Sequence, residues 1–360
     1  MNSNIDFQTA TDKVLSGELD KIIFSGLTQG DGVALTFTVY GGDGTTQMDS
    51  WTTTYHADSD GVVAVYGMKS VWNRYLLAWA RRYGGEEQYY NRPAHIPEGI
   101  TVEITYKLDD DTTDTCQRSI YYSHGDIYGL RGGVNDVLEG NKAPYTNNIK
   151  TTFTGGVEWF NILGSAYTMK VDAKYMQSGA VSTATYTITG TVGTWGEWCD
   201  VSPSAISALI PVGATLLEWT AKAMSGDTTK CSVKYVMSRK HYAKKVEIAY
   251  LNKCGVYETL WLNGGETTTT EREAEFGWAG DEWAAIDLDT TETHEASTGR
   301  MGNSLLEQVR DLADTPSAWF WDMDRNSWRK ITVLGMEVIC RRPSNEAHVC
   351  RVRYRFSERT

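Results

Sequence analysis

The side chains in this chain that are able to carry chemistry are scattered. Six histidines stand at positions 56, 95, 124, 241, 294 and 348. None has metal-ligand spacing, and an isolated histidine is usually a surface or satisfied residue. Six cysteines, at 116, 199, 231, 254, 340 and 350, form no Cys-x-x-Cys pair, so a zinc site lacks its usual ligands. Free thiols are expected, with a Cys340–Cys350 bridge across a hairpin as the alternative. The Gly-x-Ser-x-Gly, His-Glu-x-x-His, phosphate-loop and Gly-x-Gly-x-x-Gly patterns are all missing. No catalytic residue, metal or cofactor is therefore assigned.

Three short stretches deserve a chemical reading. Asp58-Ser59-Asp60-Gly61 resembles the start of a calcium loop, but Lys69 stands where the bidentate Glu belongs. An Asp-Gly hairpin turn explains it better. Asp281-Glu282, beside Trp278 and Trp283, offers two carboxylates. Adjacent residues of a strand point to opposite faces, whereas a glycosidase pair needs facing carboxyls ~5–10 Å apart. The two tryptophans themselves are candidates for stacking on a sugar ring. The third stretch is Arg351, Arg353 and Arg355, alternating with Val352, Tyr354 and Phe356. This strict two-residue period predicts a strand with one buried face and a row of arginines for solvent or a partner.

The formal net charge of the 360 residues is −12. That argues against nucleic acid as a partner, because phosphate binding needs clustered Lys and Arg. The one basic cluster, Arg239 to Lys245, is short and reads as solvated surface. No run approaches the ~20 apolar residues of a membrane span. Residues 1–7 lack the basic and apolar regions of a leader, which predicts a protein made in the cytoplasm without a cleavable signal peptide.

Abundant Thr, Gly, Tyr and Trp with only seven Pro predict a mainly β protein. Residues 1–17 read as an N-terminal arm. A β-sandwich-like region follows over 18–148, with short strands at Lys21–Phe24, Val33–Tyr40, Trp51–Tyr55 and Val62–Tyr66 separated by Gly- and Asp-rich turns. One helix is inserted over 70–83. Ser70 is its expected N-cap, and Trp72, Tyr75, Leu76, Trp79 and Tyr83 form its apolar stripe. Gly132-Gly133 and Ala143-Pro144 mark a linker, and a second β-sandwich-like region spans 149–245. The last region, 246–360, is read as α+β. It opens on a hairpin, Val246–Leu262, turned at Asn252-Lys253-Cys254-Gly255. A polar run, Thr267–Glu273, then leads toward a helix over 304–314. Its capping box is Ser304/Glu307, its stripe is Leu305, Val309 and Leu312, and Pro316 closes it. Three strands finish the chain.

Tyr250-Leu251-Asn252-Lys253-Cys254-Gly255-Val256-Tyr257-Glu258 resembles the Tyr/Phe-Leu-Asn-x-x-Gly-x-x-acid signature of tail-associated structural proteins of phages and prophages of gut bacteria. In that pattern an aromatic directly follows the Gly, whereas Val256 comes first here. The run Tyr55–Val62 is similar to the strand-turn-strand of their Ig-like modules, and the terminal helix, Trp319-Phe320-Trp321 and Tyr354-Arg355-Phe356 are similar to their C-terminal arrangement. The resemblance implies a non-enzymatic virion or tail part, a homo-oligomer with other tail proteins as partners, and tandem Ig-like β-sandwich regions. It carries over no active-site residue. Arg351, Arg353 and Arg355 are the expected interface on this reading. A carbohydrate-binding or glycan-cleaving protein using exposed Trp278 and Trp283 is the alternative.

Overall fold

The computed structural model describes residues 4–7, 13–83, 99–109, 111–123, 149–162, 168–188, 197–240, 242, 245–253, 257–279, 281–300, 303–325, 327–342 and 347–357. The expected linker around 132–144 lies outside them. The fold is mainly β, made of several sheets. The chain divides into two compact units, Met1–Met237 with Asn252–Tyr257, and Ser238–Leu251 with Glu258–Thr360. Among the described residues no strand pairing crosses residue 148 or 245.

The first unit opens with β1 (Asn4–Phe7), β2 (Lys13–Leu15), β3 (Lys21–Ser25), β4 (Gly32–Tyr40), β5 (Gln47–His56) and β6 (Val63–Tyr66). Helix α1 (Met68–Tyr83) and strands β7 (Ile100–Leu108) and β8 (Thr113–Tyr121) follow. They build a three-stranded sheet, β1-β3-β6, and a five-stranded sheet, β2-β8-β7-β4-β5. Alternation decides the faces. Val33, Leu35, Phe37 and Val39 of β4 and Ile100, Val102, Ile104 and Tyr106 of β7 are buried. Their neighbours form a hydroxyl ladder on the exposed face, with Thr36 to Thr52 at 2.8 Å and Thr105 to Thr115 at 2.9 Å. Abundant Thr is thereby explained, since it suits a pleated surface and pairs across strands.

The buried face receives the helix. Trp72, Tyr75, Leu76 and Trp79 are buried, as their spacing predicts. Trp51 lies between Phe37 and Tyr75, stacked at 5.1 and 6.0 Å from their ring centroids. Gly41 sits so close beneath Trp79 that an added Cβ would lie 2.1 Å from its ring. The helix begins two residues earlier than Ser70, and Ser70 is not its cap: its hydroxyl donates back to the Gly67 carbonyl at 2.9 Å. The cap comes from Asp20, whose carboxylate accepts the Lys69 N–H at 2.9 Å and whose carbonyl accepts that of Met68 at 3.2 Å.

The Asp58–Gly61 stretch is a turn, as its Asp and Gly predict, though it joins strands of two different sheets and so is no hairpin. The Asp58 carboxylate accepts the N–H groups of Asp60 and Val62, both at 2.9 Å. Gly61 holds φ +69°, where an added Cβ would strike the Leu27 carbonyl at 2.1 Å.

Residues 149–237 supply β9 (Ile149–Thr152), β10 (Trp159–Ile162), β11 (Thr168–Gln177), β12 (Ala180–Ile188), β13 (Glu197–Asp200), the short helix α2 (Pro203–Ser207), β14 (Thr215–Ser225) and β15 (Thr228–Met237). The main sheet runs β12-β11-β14-β15-β9, and β10 pairs with β13. Ser178 and Gly179, both at positive φ, make the two-residue turn between β11 and β12. Trp219 stacks on Tyr235 at 5.3 Å in the core.

The second unit is built on one seven-stranded sheet. Its strands are β16 (Val246–Leu251), β17 (Tyr257–Leu262), β18 (Glu266–Ala279), β19 (Glu282–Ser297), β20 (Ala318–Asp322), β21 (Ser327–Arg342) and β22 (Ala347–Phe356). The order is β17-β16-β20-β21-β22-β19-β18. The expected hairpin is β16–β17, and every residue of β16 is buried. Helix α3 (Asn303–Ala313) packs against β21 and β22 through Leu306, Val309 and Leu312. The side chains of Ser304, Leu305 and Glu307 lie outside the description, so the expected capping box does too. The Thr267–Glu273 run is not a lead-in to a helix but part of β18, in the longest hairpin of the unit.

Candidate interaction surface

The terminal arginines sit on β22, between β21 and β19. Val352 and Tyr354 are fully buried, while Arg351 and Arg353 are exposed and Arg355 half-buried, so the two-residue period reads correctly. The arginine face is not bare. Arg351 Nε lies 3.1 Å from Glu295 Oε1, and Arg355 Nε donates to Thr293 Oγ1 at 3.0 Å. Arg353 stands across from Glu295 in register. Part of the strip is therefore answered within its own sheet by β19.

β19 pairs with β22 only at His294–Ser297, whereas β18 and β19 stay paired from Glu266/Ala296 to Ala279/Glu282. Beyond residue 294 the two strands run on as a two-stranded ribbon. Its register sorts its sequence. Glu271, Glu273 and Glu275 fall on one face, with Asp289 directly across from Glu273 and Asp287 across from Glu275. This is the face that carries Glu295 and the arginines at the root. On the other face, Ala274 stands across from Leu288, Phe276 from Ala285 and Trp278 from Trp283. That face continues the core face which carries Ala296, Val352 and Tyr354 at the root. Phe276 is 58 % and Trp278 70 % exposed. A bulge with Ile286 as its extra residue separates Glu275 from Phe276, which raises the local twist.

The root of the ribbon is clamped. Tyr354 donates its hydroxyl to Glu266, and burial first and this bond second push its pKa far above the ordinary tyrosine value. The phenol thus acts as a donor and stays protonated. His294 stacks on Tyr354 at 5.3 Å and meets Phe356 edge-on at 4.9 Å. Its Nδ1 lies 3.2 Å from Thr268 Oγ1 and 3.4 Å from Glu266 Oε1. The acid, the imidazole and the phenol are engaged with one another, an arrangement that positions strands.

Trp278 and Trp283 are thus brought together at the ribbon tip, and Arg351, Arg353 and Arg355 at its root. Asp281 and Glu282 are exposed at the turn. Phe276, Glu271, Glu273 and Glu275 were passed over in the sequence because the polar composition masks their alternation. The signal was present in the period-two run from Glu271 to Trp278. Elsewhere, Cys116, Cys199, Cys231 and Cys350 form no disulfide. Cys350 faces Val338 across β21, and Cys340 faces Val349, so the alternative bridge does not form. Burial pushes the Cys231 thiol up to about 12. Among the described residues no group of three or more His, Cys, Asp or Glu is placed to hold a metal ion. No helix there is long and apolar enough to cross a membrane.

No protein-family model and no curated protein matches this sequence. Among solved structures the chain is similar to the periplasmic chaperone SfaE at 7% identity, over 61% of this chain and 90% of that one. The TM-score is 0.20, and so slight a likeness carries no argument about fold or function.

Proposed function

We propose that this chain is a non-enzymatic structural protein that works through protein–protein interfaces, as an assembly part of a phage or prophage tail or virion. The observation that carries the interface reading is the β18–β19 ribbon. It holds an aromatic face in solvent and a carboxylate face that runs down to an arginine strip. Large exposed apolar patches mark interaction surfaces, and a basic strip on an acidic chain fixes register with an acidic neighbour. The tail or virion setting, with Ig-like modules, rests on the sequence resemblance at Tyr250–Glu258 and Tyr55–Val62. The partners are other tail proteins and further copies of this chain. The test is to tag the chain in its host and band the particles on a density gradient. Stoichiometric migration with particles is expected, and a chain abundant in the lysate but missing from banded particles overturns the reading.

A second reading is favoured by the 70 % exposure of Trp278 in register with Trp283: an aromatic platform for a sugar ring. Saturable binding on a glycan array, lost in Trp278→Ala, would establish it.

A further inference from the structure

An edge strand offers unpaired N–H and C=O groups to any other chain, and folded proteins blunt such edges with charge, proline, bulges, brevity or cover. Among the described residues nearly every sheet edge is blunted in one of these ways. β2, β9, β10 and β13 are three or four residues long. β1 and β6 are four residues long as well. β5 carries Asp49 and pairs with β4 through a bulge. β18 is charged and pairs with β19 through a bulge, and β17 is buried apart from a half-buried Glu258.

β12 is the exception. It is nine residues long, Ala180-Val181-Ser182-Thr183-Ala184-Thr185-Tyr186-Thr187-Ile188. Its nine pairs with β11 run without a bulge. It holds no proline and no charge, within the longest uncharged stretch of the sequence, between Lys174 and Glu197. Among the described residues it is paired on one side only. Thr183, Thr185 and Thr187 are exposed, and Ala184, Tyr186 and Ile188 pack on the core from the other face. Of the nearest charges, one strand in, Asp172 is paired with Lys222 and Lys174 with Glu218 at 3.3 Å, while Lys170 stands across from Thr187 at the far end of the strand.

We infer that β12 is a self-pairing edge, where a second copy of this chain adds its own β12 antiparallel about a two-fold axis at Ala184. The sequence is self-complementary in that register. Thr183 meets Thr185 of the second copy, Ser182 meets Tyr186, and Val181 meets Thr187. Threonine pairs across antiparallel strands are favourable, and an isologous two-fold contact closes on itself. Each copy carries −12, and an uncharged edge lets two copies meet without like charges opposed across the contact. The five-stranded sheet then continues through its partner as ten strands. This names one partner and one edge for the assembly reading above. If the wild type is monomeric while the chain still bands with particles, the pairing falls and the assembly reading stands.

The test uses the full chain in sedimentation velocity. The wild type should dimerise with little dependence on salt. T183K/T185K and T183E/T185E should each weaken the dimer by more than ~10-fold, since like charges placed directly across strands repel. An equimolar mixture of the two variants should restore it. A monomeric wild type, a dimer that survives both variants, or a mixture that fails to pair would overturn the inference. Should the variants not fold, hydrogen exchange on the wild type decides. The Ala180–Ile188 amides should gain protection as concentration rises through dimerisation, and unchanged exchange there would refute self-pairing.

Discussion

Asp20 shows how much one side chain can organise. It ends the 3-10 turn Ser16–Leu19 and caps a helix that starts 48 residues later in the chain. Asp20→Ala should cost ~1 kcal/mol, the usual value of a lost N-cap. Asp20→Asn should lose less, because the hydrogen bond survives and only the charge at the helix terminus is lost. Urea midpoints of the two variants check this, and equal losses would show that the carbonyl bond to Met68 does the capping alone. Asp49 bears on pH. The Tyr75 hydroxyl, then the Ser50 N–H, hold its carboxyl below the ordinary value. A depressed carboxylate contributes stability that is whole above the unfolded value of ~3.9 and is lost as pH falls through the folded one. The acid limb of a urea-midpoint profile should therefore be shallower in Asp49→Asn than in the wild type. Parallel limbs would mean the Tyr75 bond is not coupled to folding.

Among the elements, what could be read from the chain was what local spacing encodes. The α1 stripe from Trp72 to Trp79 and the alternation of Val352 and Tyr354 follow directly from periods of about 3.6 and 2 residues. The cap of α1 was not legible, because Ser70 is a good N-cap by type and nothing local reveals that Asp20 folds back onto Lys69. The ribbon was missed for a different reason. Thr-rich strands with Glu on one face look like a solvated loop until the register sets Phe276 and Trp278 together. That register also places Glu273 across from Asp289 and Glu275 across from Asp287. Like charges directly opposite destabilise a pair, and each relieved pair is worth ~0.2–1 kcal/mol. E273T/E275T should slow proteolytic nicking of the ribbon while leaving the global melting temperature nearly unchanged, since the core at Tyr354 and Val352 is untouched. Faster nicking would mean the carboxylates already have partners within the chain. Trp278→Ala, at an exposed position, should change stability by less than ~0.5 kcal/mol, so any loss of binding in that variant reports on the surface.

At the scale of the whole molecule, two kinds of association are expected, and salt separates them. β12 pairing is uncharged. Docking at the arginine strip is electrostatic, with the carboxylate face of one copy's ribbon set against Arg353 and its neighbours on another. Arg351 and Arg355 are partly satisfied by Glu295 and Thr293, which leaves the exposed Arg353 as the strongest point of contact. Charges at such a rim steer encounter and fix register more than they hold a complex together. They are screened beyond ~10 Å at 0.1 M salt. Light scattering of the wild type should thus show assemblies larger than a dimer at low salt that fall back to the dimer as salt rises. R353E/R355E should remove only the salt-sensitive growth, by placing like charges against the acidic ribbon. E271Q/E273Q/E275Q should do the same from the other side. A wild type whose mass at low salt never exceeds the salt-insensitive species would rule out the strip as a self-docking site and leave it to a different, acidic partner. Growth that persists in both variants would place the electrostatic contact elsewhere on the chain.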